Sequence, residues 1–341
     1  MVGKRRWRRG LAYFLVLGLW VAGAAWASAA AQEMRFFRIG TGNVGGSYFP
    51  IGGLLGRVIS SPPDSGPCEE GGNCGVPGLI GVAQSSAGSV ANLAAIGMGR
   101  LGSGLAQADI VHWAYNGTQI YEGRGRASGL RVIANLFRES VHLVARRGSG
   151  IRTIADLVGK RVSLDTAGSG TQADALIILA AHDIDRRAVD VLYMPPGLAA
   201  EQMLEGRLDA FFFVGGYPAS AVSDLASHGN IDLVPIAGTG AASTLQHNSF
   251  FVSDVIPAGT YEGIGETVTL GVGAQWVVGA GVDAELVFKV TQALWHPNNR
   301  RHLDNGHIQG RQIRLETALS GVTVPLHPGA ERYYRNVGIM R

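Results

Sequence analysis

"RFFRIGTGNVGGSYFPIGG" runs from Arg35 to Gly53. The short apolar stretch "RFFRIG" leads into Gly40, Gly42 and Gly45, which spell GxGxxG. Pro50 follows where a helix tolerates it, in the first turn. Beyond it "FPIGGLLGRVIS" places Ile51, Leu54, Leu55 and Val58 on one helical face. The stretch therefore reads as strand, glycine loop and helix, with backbone N–H groups aimed at whatever sits beyond the strand.

A dinucleotide site needs more than three glycines: an acidic residue about 20 positions on must meet the ribose hydroxyls. Counting from Gly40 reaches Ser60, and the nearest acid, Asp64, lies in a Pro/Gly loop. The strand that should carry the acid, "GLIGVAQSS", ends in Gln84, Ser85 and Ser86. The nucleotide reading falls, and no cofactor is expected. A helix N-terminus suits a carboxylate as well as a phosphate, and Ser47 and Tyr48 add hydroxyls. "DTAGSGTQADALI" repeats the device, with Ser169, Gly170 and Thr171 opening a helix. Two such loops facing across a cleft would grip one anion; the plainer account is a pair of tight turns with ordinary N-caps.

Outward from these loops, strands alternate with helices. "GLIGVAQSS", "LGSGLAQ", "KRVSLDT", "VDVLYM", "DAFFFVGG" and "IDLVPIAG" read as strands. "GSVANLAAIGMGR", "ADIVHWAYNG", "IADLVG", "QADALIILAAHDI", "LAAEQMLEGRL" and "YPASAVSDLASHG" read as helices or turns. That order predicts an α/β fold with a parallel sheet covered on both faces. Two extended runs, "LRVIANLFRESVHLVARRGSG" and "ETVTLGVGAQWVVGAG", break the alternation, and helical "DAELVFKVTQALWH" closes it. The pattern predicts two lobes joined by two crossing strands, with the C-terminus returning to the first lobe. The expected boundaries are 32–134 plus 280–341 for lobe 1, 147–266 for lobe 2, and 135–146 and 267–279 for the hinge strands. Hinged pairs of this kind close on ligand.

The N-terminus reads as a secretory signal over residues 1–31. "MVGKRRWRRG" is cationic, "LAYFLVLGLWVAGAA" is apolar, and small residues follow in "ASAAAQ". The chain has 29 basic and 26 acidic residues, and Lys4, Arg5, Arg6, Arg8 and Arg9 all fall within the signal. The remainder is close to neutral, so no nucleic-acid partner is expected. Cys68 and Cys74, the two cysteines, sit in "SPPDSGPCEEGGNCGVPG". An oxidising compartment and close spacing favour a disulfide there, worth roughly 2 kcal/mol for so short a loop. A metal site would need further ligands, and no histidine stands nearby in sequence.

Catalytic constellations are poor. There is no G-x-S-x-G elbow and no HExxH pair among the nine histidines. His296, His302 and His307 are spaced so that they share no helical face. A secreted hydrolase would have to pair Ser169 with His142 or Ser85 with His112, and no motif supports either. Asp109 reads equally as an N-cap or as a cleft residue, and His142 as a structural hydrogen-bonding residue.

Several segments together resemble the solute-binding proteins of TRAP transporters, in the TAXI branch (TRAP-associated extracytoplasmic immunogenic proteins). They are "IGTGNVGGSYFPIGG", "CGVPGLIGVAQSSAGSVANL", "GLAQADIVHWAYNG", "LDTAGSGT" and "DAFFFVGGYP". The resemblance implies a type II periplasmic binding protein, no catalysis, a small carboxylate ligand such as glutamate, glutamine or 2-oxoglutarate, and an ion-driven TRAP permease as partner. The receptor is expected to act as a monomer in the periplasm; a ligand sensor for a membrane signalling partner is the alternative. Carried over, the ligand-binding set is Gly45, Gly46, Ser47 and Tyr48; Gln84, Ser85 and Ser86; Gln107; Ser169, Gly170 and Thr171; and Gly215, Gly216 and Tyr217. Two features depart from the family pattern. The crossing strand has Arg138 and Glu139 in "NLFRESVHLV", and the later strand has the Gly-rich "LGVGAQWVV". Arg138 reads either as a cation for a second ligand carboxylate or as an exposed charge.

Overall fold

A computed structural model describes residues 34–340 apart from positions 64, 71 and 73. The export signal expected over 1–31 lies outside the described residues. In chain order the elements are β1 (Arg35–Gly40), α1 (Tyr48–Ile59), β2 (Ser60–Ser61), β3 (Val76–Pro77), β4 (Leu79–Gln84), α2 (Ser89–Gly97), β5 (Ser103–Gln107) and α3 (Ala108–Asn116). Then come β6 (Leu130–Arg146), β7 (Arg161–Ser163), α4 (Gly170–Ala181), β8 (Asp190–Leu192), α5 (Pro196–Leu204), β9 (Ala210–Gly215), α6 (Ser220–Ser227) and β10 (Ile231–Leu233). The chain ends with α7 (Gly238–His247), β11 (Val252–Ile256), β12 (Thr267–Gly279), α8 (Ala284–Leu294), α9 (Arg300–Gly306) and α10 (Pro328–Asn336).

One sheet runs through these elements in the order β4-β1-β5-β12-β6-β9-β7-β8, with β10 added to β6 and β11 to β12. β4, β1 and β5 are parallel, and so are β8, β7 and β9. In the middle, β12 and β6 pair antiparallel with each other and with their outer neighbours β5 and β9. The parallel sheet expected from alternation is thus present in each outer group, with an antiparallel centre made by the two long strands.

Helix α1 shows why the first segment folds as it does. Ile51, Leu54, Leu55 and Val58 are buried, packed in one cluster with Phe37, Ile39 and Trp276. A fully buried side chain of this kind contributes about 1.5–3 kcal/mol. The helix lies close on the sheet because Gly56 faces Gly81: a Cβ on Gly56 would stand 2.8 Å from the Gly81 carbonyl oxygen. Tyr333 and Tyr334 of α10 join the same cluster, and the Tyr334 hydroxyl donates to the Ile133 carbonyl at 2.8 Å. Two further clusters cover opposite faces of the sheet around β6 and β9, one around Leu143, Val162, Ile178 and Phe212 and the other around Phe211, Val222 and Tyr261.

Three expectations change. "IADLVG" is a short 3-10 turn, Ile154–Leu157, closed by a Thr153/Asp156 capping box. "GTGAASTLQH" forms helix α7, and β11 adds an antiparallel edge to β12. The chain does not end on α8 but continues through α9 and α10. Cys68 and Cys74 form the expected disulfide. A histidine absent from the local sequence arrives from far along the chain, His296 Nε2 lying 3.7 Å from Cys68 Sγ. Because both sulfurs are in the disulfide, neither is a thiolate ligand. Among the described residues no helix is long and apolar enough to cross a membrane.

Candidate functional site

Parallel strands deliver their C-terminal ends, and the helices that follow, to one edge of a sheet, which is where α/β proteins bind ligands. Here two such edges meet. From one side come the loop after β1, with Gly42, Asn43, Gly46, Ser47 and Tyr48, the start of α2 at Gly88 and Ser89, and Gln107 at the end of β5. From the other come Asp165, Ser169, Gly170 and Thr171 before and at the start of α4, Pro196 opening α5, and Phe213 and Val214 of β9. Glu139 of β6 lines the floor. The cavity between them measures about 40 Å³. One water needs roughly 10–15 Å³, so the space admits several heavy atoms and no large ligand.

Direct contacts join the two sides over this cavity. Asn43 Nδ2 donates to Thr166 Oγ1 at 3.3 Å, the Gly216 N–H to Ser47 Oγ at 3.1 Å, and Ser220 Oγ to the Gly45 carbonyl at 3.1 Å. The Ala91 N–H donates to the Gly168 carbonyl at 3.2 Å. Gln107 Nε2 donates to Asp174 Oδ2 at 2.5 Å. Gly170 sits against the Gln107 amide: a Cβ there would fall 1.2 Å from Gln107 Oε1. No larger residue fits at this position without displacing Gln107.

The cavity is anion-receptive in its backbone and acidic in its side chains. α1, α2 and α4 all begin at its wall, and the first N–H groups of a helix have no carbonyl four residues back to pair with. Together with the helix dipoles they make a partly positive surface. Ser169 Oγ caps α4 by accepting from the Gln172 N–H at 3.0 Å. No lysine, arginine or histidine is among the residues lining the cavity. The Tyr48 hydroxyl donates to Glu139 Oε2 at 2.6 Å. Burial pushes the Glu139 carboxyl up to about 8, with Asp109 adding to the rise against the Tyr48 bond. A carboxyl raised this far keeps its proton at neutral pH. Burial also raises Asp165 to about 6, moderated by hydrogen bonds from Thr166, Thr171 and Ser169.

Of the residues named from sequence, the structure brings Gly46, Ser47, Tyr48, Gln107, Ser169, Gly170 and Thr171 to the cavity wall. The others stand around it. Gly45 packs toward Gly197 and Ala221. The Gln84 carbonyl takes both the N–H and the hydroxyl of Thr41. Ser85 Oγ donates to the Gly42 carbonyl at 3.1 Å, and Ser86 Oγ to Asn92 Oδ1 at 2.7 Å. These three residues brace the glycine loop. Gly215 packs under the Phe213 ring and Gly216 against Gln309. Tyr217 lines a second, larger cavity on the other side of β6, together with Arg138, Ser140 and Asp254. Alternation along β6 accounts for this, placing Glu139 at the first cavity and Arg138 at the second. There Arg138 Nη1 lies 3.5 Å from Asp254 Oδ1. Asn43, Ser89, Glu139, Asp165 and Phe213 were not singled out for the site by sequence.

Neither serine–histidine pair forms a hydrogen bond among the described residues. His142 uses Nδ1 on the Ser140 carbonyl and Nε2 on the Tyr261 hydroxyl, both at 2.9 Å, and burial lowers it to about 4. It is a neutral structural residue. His112 meets Thr323 Oγ1 at 3.0 Å instead of Ser85.

A family model described as the NMT1-like family matches residues 39–338. Among solved structures, the chain is similar to MatC (Rpa3494) from Rhodopseudomonas palustris with bound malate, at 13% identity and a TM-score of 0.52, covering 89% of this chain and 97% of that one. It is also similar to a protein from Bordetella bronchiseptica RB50 at 14% identity and a TM-score of 0.50, covering 88% of each chain. A third likeness is to the alkanesulfonate-binding protein SsuA from Xanthomonas axonopodis pv. citri bound to MOPS, at 16% identity and a TM-score of 0.46, covering 89% of this chain and 84% of that one. What the chain shares with the first two is the fold, mixed α/β with a central sheet.

Proposed function

This chain belongs to the NMT1-like family, and we propose that it is an exported solute receptor of the TAXI type that captures a small carboxylate and delivers it to a TRAP permease. The observation that carries this reading is the convergence of three helix N-termini on one small cavity whose lining holds no cationic side chain. Backbone N–H groups of α4 and α1, with Ser47, Ser169 and Thr171, take the ligand carboxylate. Charge-assisted hydrogen bonds contribute about 1.5–3 kcal/mol each, so three of them approach the roughly 8 kcal/mol of a micromolar complex.

Glu139 sharpens the ligand class to glutamine or glutamate over 2-oxoglutarate. An ammonium group replaces the proton that Glu139 otherwise keeps, and an oxo group does not. The receptor comprises lobes 32–134 plus 280–341 and 147–266, hinged at 135–146 and 267–279, and the cross-cavity contacts of Asn43, Ser47 and Gln107 form on closure. Closure also creates the single surface, drawn from both lobes, that the membrane partner recognises. A thermal-shift screen over amino acids, oxo acids and dicarboxylates tests the reading. A ligand at 100 times its Kd stabilises the protein by about 2.7 kcal/mol, and a screen in which no carboxylate raises the melting temperature contradicts it.

A further inference from the structure

Behind Gln107, outside the lining of the cavity, stand two carboxyl groups that the ligand scheme leaves unused. Asp109 opens α3 after β5, and Asp174 lies in α4 after β7; in the sheet those strands are separated by β12, β6 and β9. Both aspartates are fully buried. Each has one oxygen accounted for: Asp109 Oδ1 accepts the Ile110 N–H at 2.7 Å, and Asp174 Oδ2 accepts from Gln107 at 2.5 Å. The remaining oxygens, Asp109 Oδ2 and Asp174 Oδ1, receive no donor among the described residues. The two helices pack together beside them, Ala173 of α4 lying in one buried cluster with Ile110 and Val111 of α3, and the two carboxyl groups perturb each other.

Two carboxylates buried side by side without a cation do not both ionise at neutral pH, and a single proton between them satisfies both orphaned oxygens. We infer that Asp109 and Asp174 share one proton, and that this proton ties α3 to α4 beside the cavity, so that acid favours the joined arrangement. The surroundings agree. The groups facing the pair are Gln107 from β5, Glu139 from β6, Tyr48 from α1 and Tyr121 from the turn before β6, with Arg124 beyond Tyr121. Among the described residues no basic side chain is hydrogen-bonded or ion-paired to either aspartate. Burial, then each other's charge and that of Glu139, raises Asp174 well above the ordinary carboxylate range, and burial raises Asp109.

The inference concerns the protein without ligand and does not depend on which solute is bound. It is tested by ¹³C NMR of the aspartate side-chain carboxyls in the ligand-free mature protein, from pH 5 to 9, with Asp109→Asn and Asp174→Asn giving the assignment. One variant suffices if the other does not fold. The pair is expected to titrate as a unit above the ordinary range, and in either variant the remaining aspartate is expected to shift back down, because the asparagine amide donates where the proton was. Two aspartate signals that stay ionised throughout overturn the inference. So do signals that respond to sodium rather than to pH, since they place a cation where the proton is assigned. A failure of L-glutamine to bind counts against the proposed ligand class and leaves the NMR result to decide the proton.

Discussion

Glu139 and Gly170 concentrate the account at the level of single residues. The Glu139 carboxyl binds its proton more tightly in the folded protein, at about 8, than in the unfolded chain, at an ordinary carboxylate value. Its contribution to stability is greatest below the ordinary value and declines as pH rises through about 8. The melting temperature of the ligand-free protein is therefore expected to fall across that window, and Glu139→Gln to flatten the fall; an unchanged pH profile in the variant contradicts the assignment. His142, lowered to about 4 by burial, works in the opposite sense, its share being lost as pH falls below the ordinary histidine range. For Gly170→Ala, the added methyl collides with a Gln107 amide held by both Asp174 and Ser89. We expect at least about tenfold weaker ligand binding, or about 1.4 kcal/mol, with little change in melting temperature, as measured by calorimetry alongside thermal unfolding. Ser47, Tyr48 and Ser169 to Thr171 were legible because turn chemistry before a helix is a local signal. Glu139 and Asp165 were not, because strand alternation separates Arg138 from Glu139 without saying which faces the cavity, and burial of an acid is decided by distant segments.

The glycine loops and the long strands were readable as elements from local pattern. Apolar periodicity marks α1, and the uninterrupted run from Leu130 to Arg146 marks β6 as a single long strand. Helix α7 was missed because "GTGAASTLQH" has almost no apolar face; its helicity comes from packing, with Ala241 buried beside α4. The antiparallel centre was hidden as well, since strand direction is set by pairing between β6 and β12, more than 100 positions apart in sequence. The Cys68–Cys74 loop closes over a sequence separation of 6 and stands away from the cavity. Replacing both cysteines by serine is expected to cost about 2 kcal/mol of stability in denaturant unfolding while leaving ligand affinity unchanged. A loss of affinity in that variant contradicts the placement of the site.

At the scale of the whole molecule, the main sheet is a mixed one of ten strands, apart from the small β2-β3 pair, and its two parallel groups aim their C-terminal ends at a common cavity. The hydrogen bonds across that cavity are few, made by Asn43, Ser47, Ala91, Ser220 and Gln107. Such contacts add little to stability and are readily exchanged for a ligand, as the proposed receptor role requires. In the proposed function, backbone donors supply the attraction for an anion, and the buried acids select a ligand that brings its own positive charge. Isothermal titration calorimetry of the mature protein with L-glutamine, L-glutamate and 2-oxoglutarate tests that claim most directly. The account predicts micromolar binding of at least one of the two amino acids and weaker binding of the oxo acid. The absence of heat with every amino acid and oxo acid of this size contradicts it.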